Sequence, residues 1–195
     1  MRFVSIIFSI LLCVSSLSYL PAGVSESCGE HLCSRTYEMR INHAGKIKSI
    51  LFQKEVLSKE GEEGHQDYEE SYRELLGKSF PSYRLEFRIL GEKRMLNFKN
   101  VIFGGLDAQM SMFDMTERSA QLASIKDFHI APVENNKELL DLVFPVEVKN
   151  TLVVYLKQEF VEKLKQKDKL KFTLVAHDDT EYDVELPNFL KEHDF

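Results

Sequence analysis

The stretch SYRLEFRIL, residues 82–90, carries the clearest strand signal in the chain. Its apolar and charged side chains alternate, which places the apolar set on one face of a strand and the charged set on the other. The apolar set is Tyr83, Leu85, Phe87 and Ile89, and the charged set is Arg84, Glu86 and Arg88. This alternation predicts a β-strand with one face in the core.

Similar patterns extend in both directions from this stretch. Residues 35–41 and 46–56 predict a hairpin with a turn at 42–45. The alternation of the second strand slips near Ser49 and Ile50, which indicates a bulge or burial on both faces. Residues 95–103 predict a return strand that forms a second hairpin with 82–90. The other strand candidates are residues 107–115, 125–130, 139–148, 151–156, 169–176 and 181–186.

Helical patterns are fewer. Residues 158–167 predict a short amphipathic helix with Phe160, Val161 and Leu164 facing inward. Residues 58–77 are rich in acids and read as a surface excursion, whose second half, 67–76, has a helical spacing of apolar residues. Residues 116–124 read as a short helix or a loop, and 188–192 as one helical turn.

The spacing of these elements decides the fold class. A parallel sheet needs long crossover connections between strands, and most of the predicted strands are joined by tight turns. We therefore predict a mainly β fold, an antiparallel β-sandwich or partly open barrel with one short amphipathic helix near the C-terminus. Residues 26–195 are expected to form a single domain.

The first residues have the pattern of a secretory signal peptide. Arg2 precedes an apolar run, and small residues follow at 15–18. The run is about 12 residues long, whereas a membrane-spanning helix needs roughly 20. We predict a signal peptide at 1–22, cleaved between about 18 and 25, with an uncleaved anchor as the alternative. The mature protein is then secreted or periplasmic, with no stable membrane span.

Two cysteines remain after this cleavage, Cys28 and Cys33. An even number of cysteines in an exported protein predicts a disulfide. A reduced or redox-active pair is one alternative. A metal site that uses His31 is another, although its spacing matches no standard zinc site. We expect neither a metal nor another cofactor.

The charge balance limits the class of partner. The chain has 25 basic and 31 acidic residues among 195, a formal net charge of −6. Nucleic-acid binding needs a basic surface, so we expect no nucleic-acid partner. The sequence also lacks the nucleophile-elbow, phosphate-loop, dinucleotide and zinc-protease motifs.

Three local clusters offer chemistry. His177, Asp178 and Asp179 read as a turn, or alternatively as a cation site or an acid–base pair. The acids of residues 60–70, together with His65, read as a solvated mobile loop or an adhesive surface, since the ordered ligands of a calcium loop are missing. Met110 and Met112 have the spacing of an inward strand face, with a soft-metal or partner surface as the alternative.

The end of the chain resembles a known family. Residues 160–164, 169–176 and 182–189 are similar to the helix, two strands and terminal Leu-x-x-Phe of the bacterial invasion-associated locus B family. Members of that family are exported sandwich proteins linked to host interaction, so the resemblance implies a binding role and a bacterial source. The family's internal cysteine pair, Gly-Cys motif and tryptophans have no counterpart here.

Two functional hypotheses follow. The first is a secreted, non-catalytic binding or accessory protein whose ligand is a protein, a peptide or a lipid, in contact with a host or with the cell envelope. The second is a small secreted hydrolase that uses dispersed carboxylates or histidines, which need not be close in sequence.

Overall fold

The computed structural model describes residues 23–42, 45–112, 117–131 and 137–195. The predicted signal peptide, residues 1–22, lies outside the described residues. The middle of the predicted turn at 42–45 and the end of the strand candidate at 107–115 lie outside them as well.

The strands form two antiparallel sheets. The larger sheet has six strands, in the spatial order β1 (Gly23–Cys28), β2 (Leu32–Arg40), β3 (Ile47–Leu57), β4 (Ser82–Glu92), β7 (Val148–Leu156) and β6 (Phe128–Ala131). The smaller sheet has the order β5 (Phe98–Phe103), β8 (Lys169–Ala176) and β9 (Glu181–Pro187).

The inner faces of both sheets contribute to one hydrophobic core. Phe87 of β4 and Phe172 of β8 meet edge to face with ring centroids 5.2 Å apart. Phe103 of β5 contacts Phe128 of β6 in the same way at 5.1 Å. Such pairs add specific aromatic contacts to the burial of apolar area. The prediction of a mainly β, antiparallel sandwich is confirmed.

The helices are more numerous than predicted. They are α1 (Lys59–Gly64), α2 (Glu70–Ser79), α3 (Arg118–Ala123), α4 (Lys137–Leu140), α5 (Gln158–Lys165) and α6 (Phe189–Glu192). The predicted amphipathic helix is α5, which buries Phe160, Val161 and Leu164 as expected. The acidic excursion is helical over most of its length. No helix in the described ranges combines the length and the apolar character that crossing a membrane requires.

The first predicted hairpin is confirmed. β2 and β3 pair antiparallel. The register of β3 against β4 shifts between Ile47 and Ser49, where the bulge is predicted. The sequence pattern did not reveal β1. All six of its residues are exposed, so it has no buried face to produce an alternation of apolar residues.

The second predicted hairpin is wrong, because β5 leaves the larger sheet and pairs with β8. β4 is instead flanked by β3 and β7. Asn150 of β7 holds the connection between β4 and β5: its Oδ1 accepts from the Leu96 amide at 2.8 Å, and its Nδ2 donates to the Arg94 carbonyl at 3.1 Å. A buried asparagine therefore satisfies the backbone where the chain crosses between the sheets.

The strand candidate at 139–148 is also wrong, and the candidate at 107–115 is not a strand in its described part. Residues 139–148 contain the end of α4 and an irregular segment rather than a strand. Pro145 lies inside this segment and has no N–H for a ladder, which explains the failure of the apolar pattern. In residues 107–112, the only described strand-like pairing is a single bridge between Met110 and Phe128.

Candidate functional site

A groove of about 290 Å³ lies between one end of the larger sheet and helices α1, α2 and α3. The hairpin loop between β1 and β2 forms part of its wall. Four leucines, a phenylalanine and a tyrosine supply half of the lining residues, and the polar ones include two histidines and a pair of opposite charges. The lining residues are His31, Leu32, Glu55, Leu57, Gly64, His65, Tyr68, Leu76, Phe80, Arg118, Ser119 and Leu122.

Helices α2 and α3 are joined by a buried serine. Ser79 Oγ donates to the carbonyl of Ser119 at 2.6 Å and lies 2.8 Å from the carbonyl of Leu75. Leu76 and Leu122, one from each helix, are buried beside this link. The link fixes the spacing of the two helices and therefore the width of the groove.

The β1–β2 loop is fastened to the start of α1. The Ser58 amide donates to the His31 carbonyl at 3.0 Å, and Ser58 Oγ donates to the Glu30 carbonyl at 2.5 Å. Ser58 Oγ also accepts from the Gly61 amide at 2.9 Å and so caps the helix. Gly61 sits against this loop so closely that an added Cβ would overlap the His31 carbonyl oxygen.

Three polar side chains of the groove are already engaged. Arg118 Nη2 donates to Glu55 Oε2 at 3.3 Å, and Ser82 Oγ reaches the same oxygen at 3.3 Å. His65 Nδ1 is hydrogen-bonded to the carbonyl of Gly61. The Glu55 carboxylate therefore compensates the charge of Arg118, and a ligand meets a nearly neutral rim at this point.

Tyr68 is the most exposed aromatic residue of the groove, with half of its surface accessible. Its ring contacts His65 edge to face at 5.1 Å and Tyr72 at 5.3 Å. An exposed tyrosine beside an apolar pocket is a common anchor for a binding partner, because a rigid ring loses little entropy on contact.

The predicted cluster at residues 177–179 is an exposed turn between β8 and β9. The Asp179 amide donates to the Ala176 carbonyl at 3.1 Å, and Asp179 has a positive φ of 65°. Asp178 Oδ1 accepts from the Thr180 amide at 3.1 Å, which lowers the pKa of Asp178 below its usual value. Lys99 forms an ion pair with Asp179. These contacts match the turn interpretation.

The two candidate methionines have different surroundings. Met110 is partly buried and packs against the core. Met112 is 85% exposed, so its predicted inward orientation is wrong. Over the described residues 107–112, the strand that would turn it inward is reduced to the bridge at Met110.

Cys28 and Cys33 form a disulfide, as the even cysteine count predicts. They are directly opposite each other in the β1–β2 hairpin, with Cα atoms 4.0 Å apart. The disulfide therefore closes the loop that contributes His31 to the groove wall. Among the residues that the structure describes, no group of three or more His, Cys, Asp and Glu side chains could hold a metal ion.

The groove brings together residues that sequence reasoning did not combine. Glu55, Tyr68 and Arg118 are far apart in the chain, and only the packing of the helices on the sheet unites them. Two local signals pointed towards it: His31 lies between the paired cysteines, and Tyr68 and Tyr72 share the apolar spacing of residues 67–76.

Comparison with known proteins identifies relatives from Borrelia and Borreliella. Protein BptA of Borrelia garinii subsp. bavariensis is 32% identical over 152 residues, which cover 76% of this chain and 74% of that protein. Protein BptA of Borreliella valaisiana is 38% identical over 114 residues, 58% of this chain and 55% of the relative. Protein BptA of Borreliella burgdorferi strain N40 is 36% identical over 112 residues, which cover 57% of this chain and 54% of that protein.

In the last two comparisons the aligned part spans just over half the length of the relative. No solved structure matches the chain. A family model described as Borrelial persistence in ticks protein A matches residues 24–195, nearly the whole described region. This is not the invasion-associated locus B family that residues 160–189 resemble. The chain belongs to the family described as Borrelial persistence in ticks protein A.

Proposed function

We propose that this chain is a secreted or periplasmic, non-catalytic binding protein that docks an apolar segment of a protein or peptide in the groove. The family description refers to persistence in ticks, and we carry that setting over to this chain. Export is part of the proposal and rests on the signal-peptide pattern of residues 1–22.

The shape and lining of the groove carry this proposal. Its volume of about 290 Å³ is close to the lower limit of ligand pockets, roughly 300 Å³. It is open to solvent, and its floor includes Leu32, Leu57 and Leu122. Such a site suits one or two apolar side chains of a larger partner better than a whole small molecule.

The engaged polar groups favour binding over hydrolysis. Glu55 is the only carboxylate among the lining residues, and Arg118 and Ser82 occupy one of its oxygens. His65 uses Nδ1 for the Gly61 carbonyl. General acid–base catalysis needs a titratable side chain within hydrogen-bond reach of the proton that it transfers. In the groove, the named atoms of Glu55 and His65 bond to other groups of the protein instead.

Site-specific photo-crosslinking in the living bacterium tests the proposal. A photoreactive phenylalanine replaces Tyr68 in the groove, and in a control chain it replaces Ile102, which is similarly exposed on β5. We expect a discrete crosslinked product from position 68 and none from position 102. Equal products from both positions, or none from position 68, would contradict docking in the groove.

A lipid ligand is the second candidate, and one observation favours it. Leu142, Val143 and Val146 are exposed in the segment between α4 and β7. Apolar loop residues of this kind can enter a bilayer interface. Co-sedimentation with phosphatidylglycerol vesicles tests this idea: a Val143→Asp variant should lose vesicle binding if the loop is the contact, and wild-type protein that stays in the supernatant excludes it.

A further inference from the structure

The segment that contributes α1, most of α2 and one side of the groove carries most of the net charge of the chain. Residues 58–77 contain seven acidic and two basic residues, a formal charge of −5, compared with −6 for all 195 residues. The acids are Glu60, Glu62, Glu63, Asp67, Glu69, Glu70 and Glu74, and all of them are exposed. The negative potential is therefore concentrated next to the groove.

Most of these acids are free to meet a partner. Within the described part of the chain, only Glu74 of the seven forms an ion pair, with Lys78 at 2.6 Å. By contrast, the acids on the neighbouring sheet are paired, as Glu86 is with Arg84 and Arg88. Unpaired like charges repel one another, so a cationic partner would relieve this repulsion.

The groove residues interleave with these acids along the chain. Gly64, His65 and Tyr68 line the groove, while Glu63 and Asp67 flank them in sequence. On the opposite rim, the positive charge of Arg118 is compensated by Glu55 at 3.3 Å. An entering cation is thus attracted from one side and weakly repelled from the other.

We propose that the partner segment is basic: its apolar side chain enters the groove, and its lysine or arginine residues face the acids of residues 58–77. This inference rests on the proposed function and specifies the chemistry of the ligand. Complementary charge across an interface increases the association rate and excludes partners of the wrong sign.

Three short synthetic peptides test the charge preference. They share a Leu-Phe-Leu centre and differ in the residues on each side, which are lysine, serine or glutamate. Binding to the purified chain is followed by fluorescence anisotropy. We expect the lysine peptide to bind about tenfold more tightly than the serine peptide, and this advantage to shrink between about 0.05 and 0.5 M salt because of screening.

Matched variants assign the preference to this wall. A triple variant with Glu62→Gln, Glu63→Gln and Asp67→Asn should weaken the lysine peptide about tenfold and leave the serine peptide unchanged. A control variant removes three exposed acids that lie outside residues 58–77, with Asp107→Asn, Asp141→Asn and Glu181→Gln, and should bind both peptides as the wild type does.

The outcomes separate this inference from the function on which it rests. If the serine peptide binds as tightly as the lysine peptide, the basic partner is overturned while the apolar groove remains the docking site. The same holds if the control variant loses as much affinity as the triple variant. If none of the three peptides binds, both the charge preference and groove docking are contradicted.

Discussion

Gly61 of α1 and His31 of the β1–β2 loop are in direct backbone contact across 30 positions of sequence. A Cβ on Gly61 would overlap the carbonyl oxygen of His31. This contact joins the disulfide-closed hairpin to the first helix of the acidic segment. It is the point at which the sheet and the helices together form the wall of the groove.

A Gly61→Ala substitution should therefore push the hairpin loop away from α1. Overpacking of this kind typically costs about 1–3 kcal/mol of unfolding free energy, and we expect a loss in this range. Chemical denaturation measures it. Gly64→Ala is the control: no atom lies within 4 Å of its added Cβ, so it should be neutral or stabilising by up to about 1 kcal/mol. Equal effects of the two variants would contradict the close contact.

Removal of the disulfide should lower stability and loosen the groove. The double variant Cys28→Ser, Cys33→Ser opens a very short loop, so the entropy model predicts a loss of about 2 kcal/mol. We also expect weaker binding of peptides, because the loop that contributes His31 loses its covalent closure. Thermal unfolding with and without a reductant measures the first effect. A wild-type protein whose unfolding is insensitive to the reductant would contradict this role for the disulfide.

Asn150 should be one of the most sensitive polar positions in the fold. An Asn150→Ala variant leaves the Leu96 amide and the Arg94 carbonyl without their buried partner. An unsatisfied buried group costs about 1–3 kcal/mol, and only the Leu96 contact is fully buried, so we expect a loss of about 1–3 kcal/mol in denaturant unfolding. Asn100→Ala is the control, since among the described residues the Asn100 side chain bonds only to the neighbouring Val101 amide. A neutral Asn150→Ala would show that the sheet crossing does not depend on this residue.

The lowered pKa of Glu185 leads us to expect that the stability of the fold depends on pH in the acidic range. Hydrogen bonds from Lys169 and Lys171 lower the pKa of Glu185 from 4.5 to about 2. A lowered pKa in the folded state means that the stabilising contribution is present above pH 4.5 and is lost as the pH falls towards 2. A Glu185→Gln variant should thus lose less stability than the wild type over that interval, in unfolding experiments at a series of pH values.

The control for this prediction is Glu181→Gln, which removes an exposed carboxylate from the same strand. Glu181 forms no ion pair with the described residues. Its variant should follow the wild-type pH profile. A Glu185→Gln profile that coincides with the wild type would contradict the effect of the two lysines.

The sequence predicted the parts of the fold that have one buried face. Strands β2, β3, β4, β8 and β9 and helix α5 all show a clear alternation or amphipathic spacing, because burial selects apolar residues at regular intervals. β1 lacks a buried face and gave no such signal. The segment at 139–148 has the apolar residues of a strand but does not form one, because Pro145 has no N–H for a ladder. Val143 and Val146 are exposed there.

The strand pairing and the residues of the groove could not be predicted from the sequence, for a different reason. Alternation predicts that residues 98–103 form a strand, but it does not say that this strand pairs with β8, at Lys169–Ala176, rather than with β4. Likewise, the groove requires Glu55 and Arg118 to meet across 63 positions. Local patterns carry no information about such long-range contacts.

The central claim is that the groove between the larger sheet and helices α1 to α3 is the docking site. Nuclear magnetic resonance tests it most directly, by titration of the lysine-flanked peptide into the isotopically labelled chain. We predict chemical-shift changes centred on Leu57, Tyr68 and Leu122, which line the groove. Changes centred instead on residues 142–146, or on the edge strand β5, would contradict the claim.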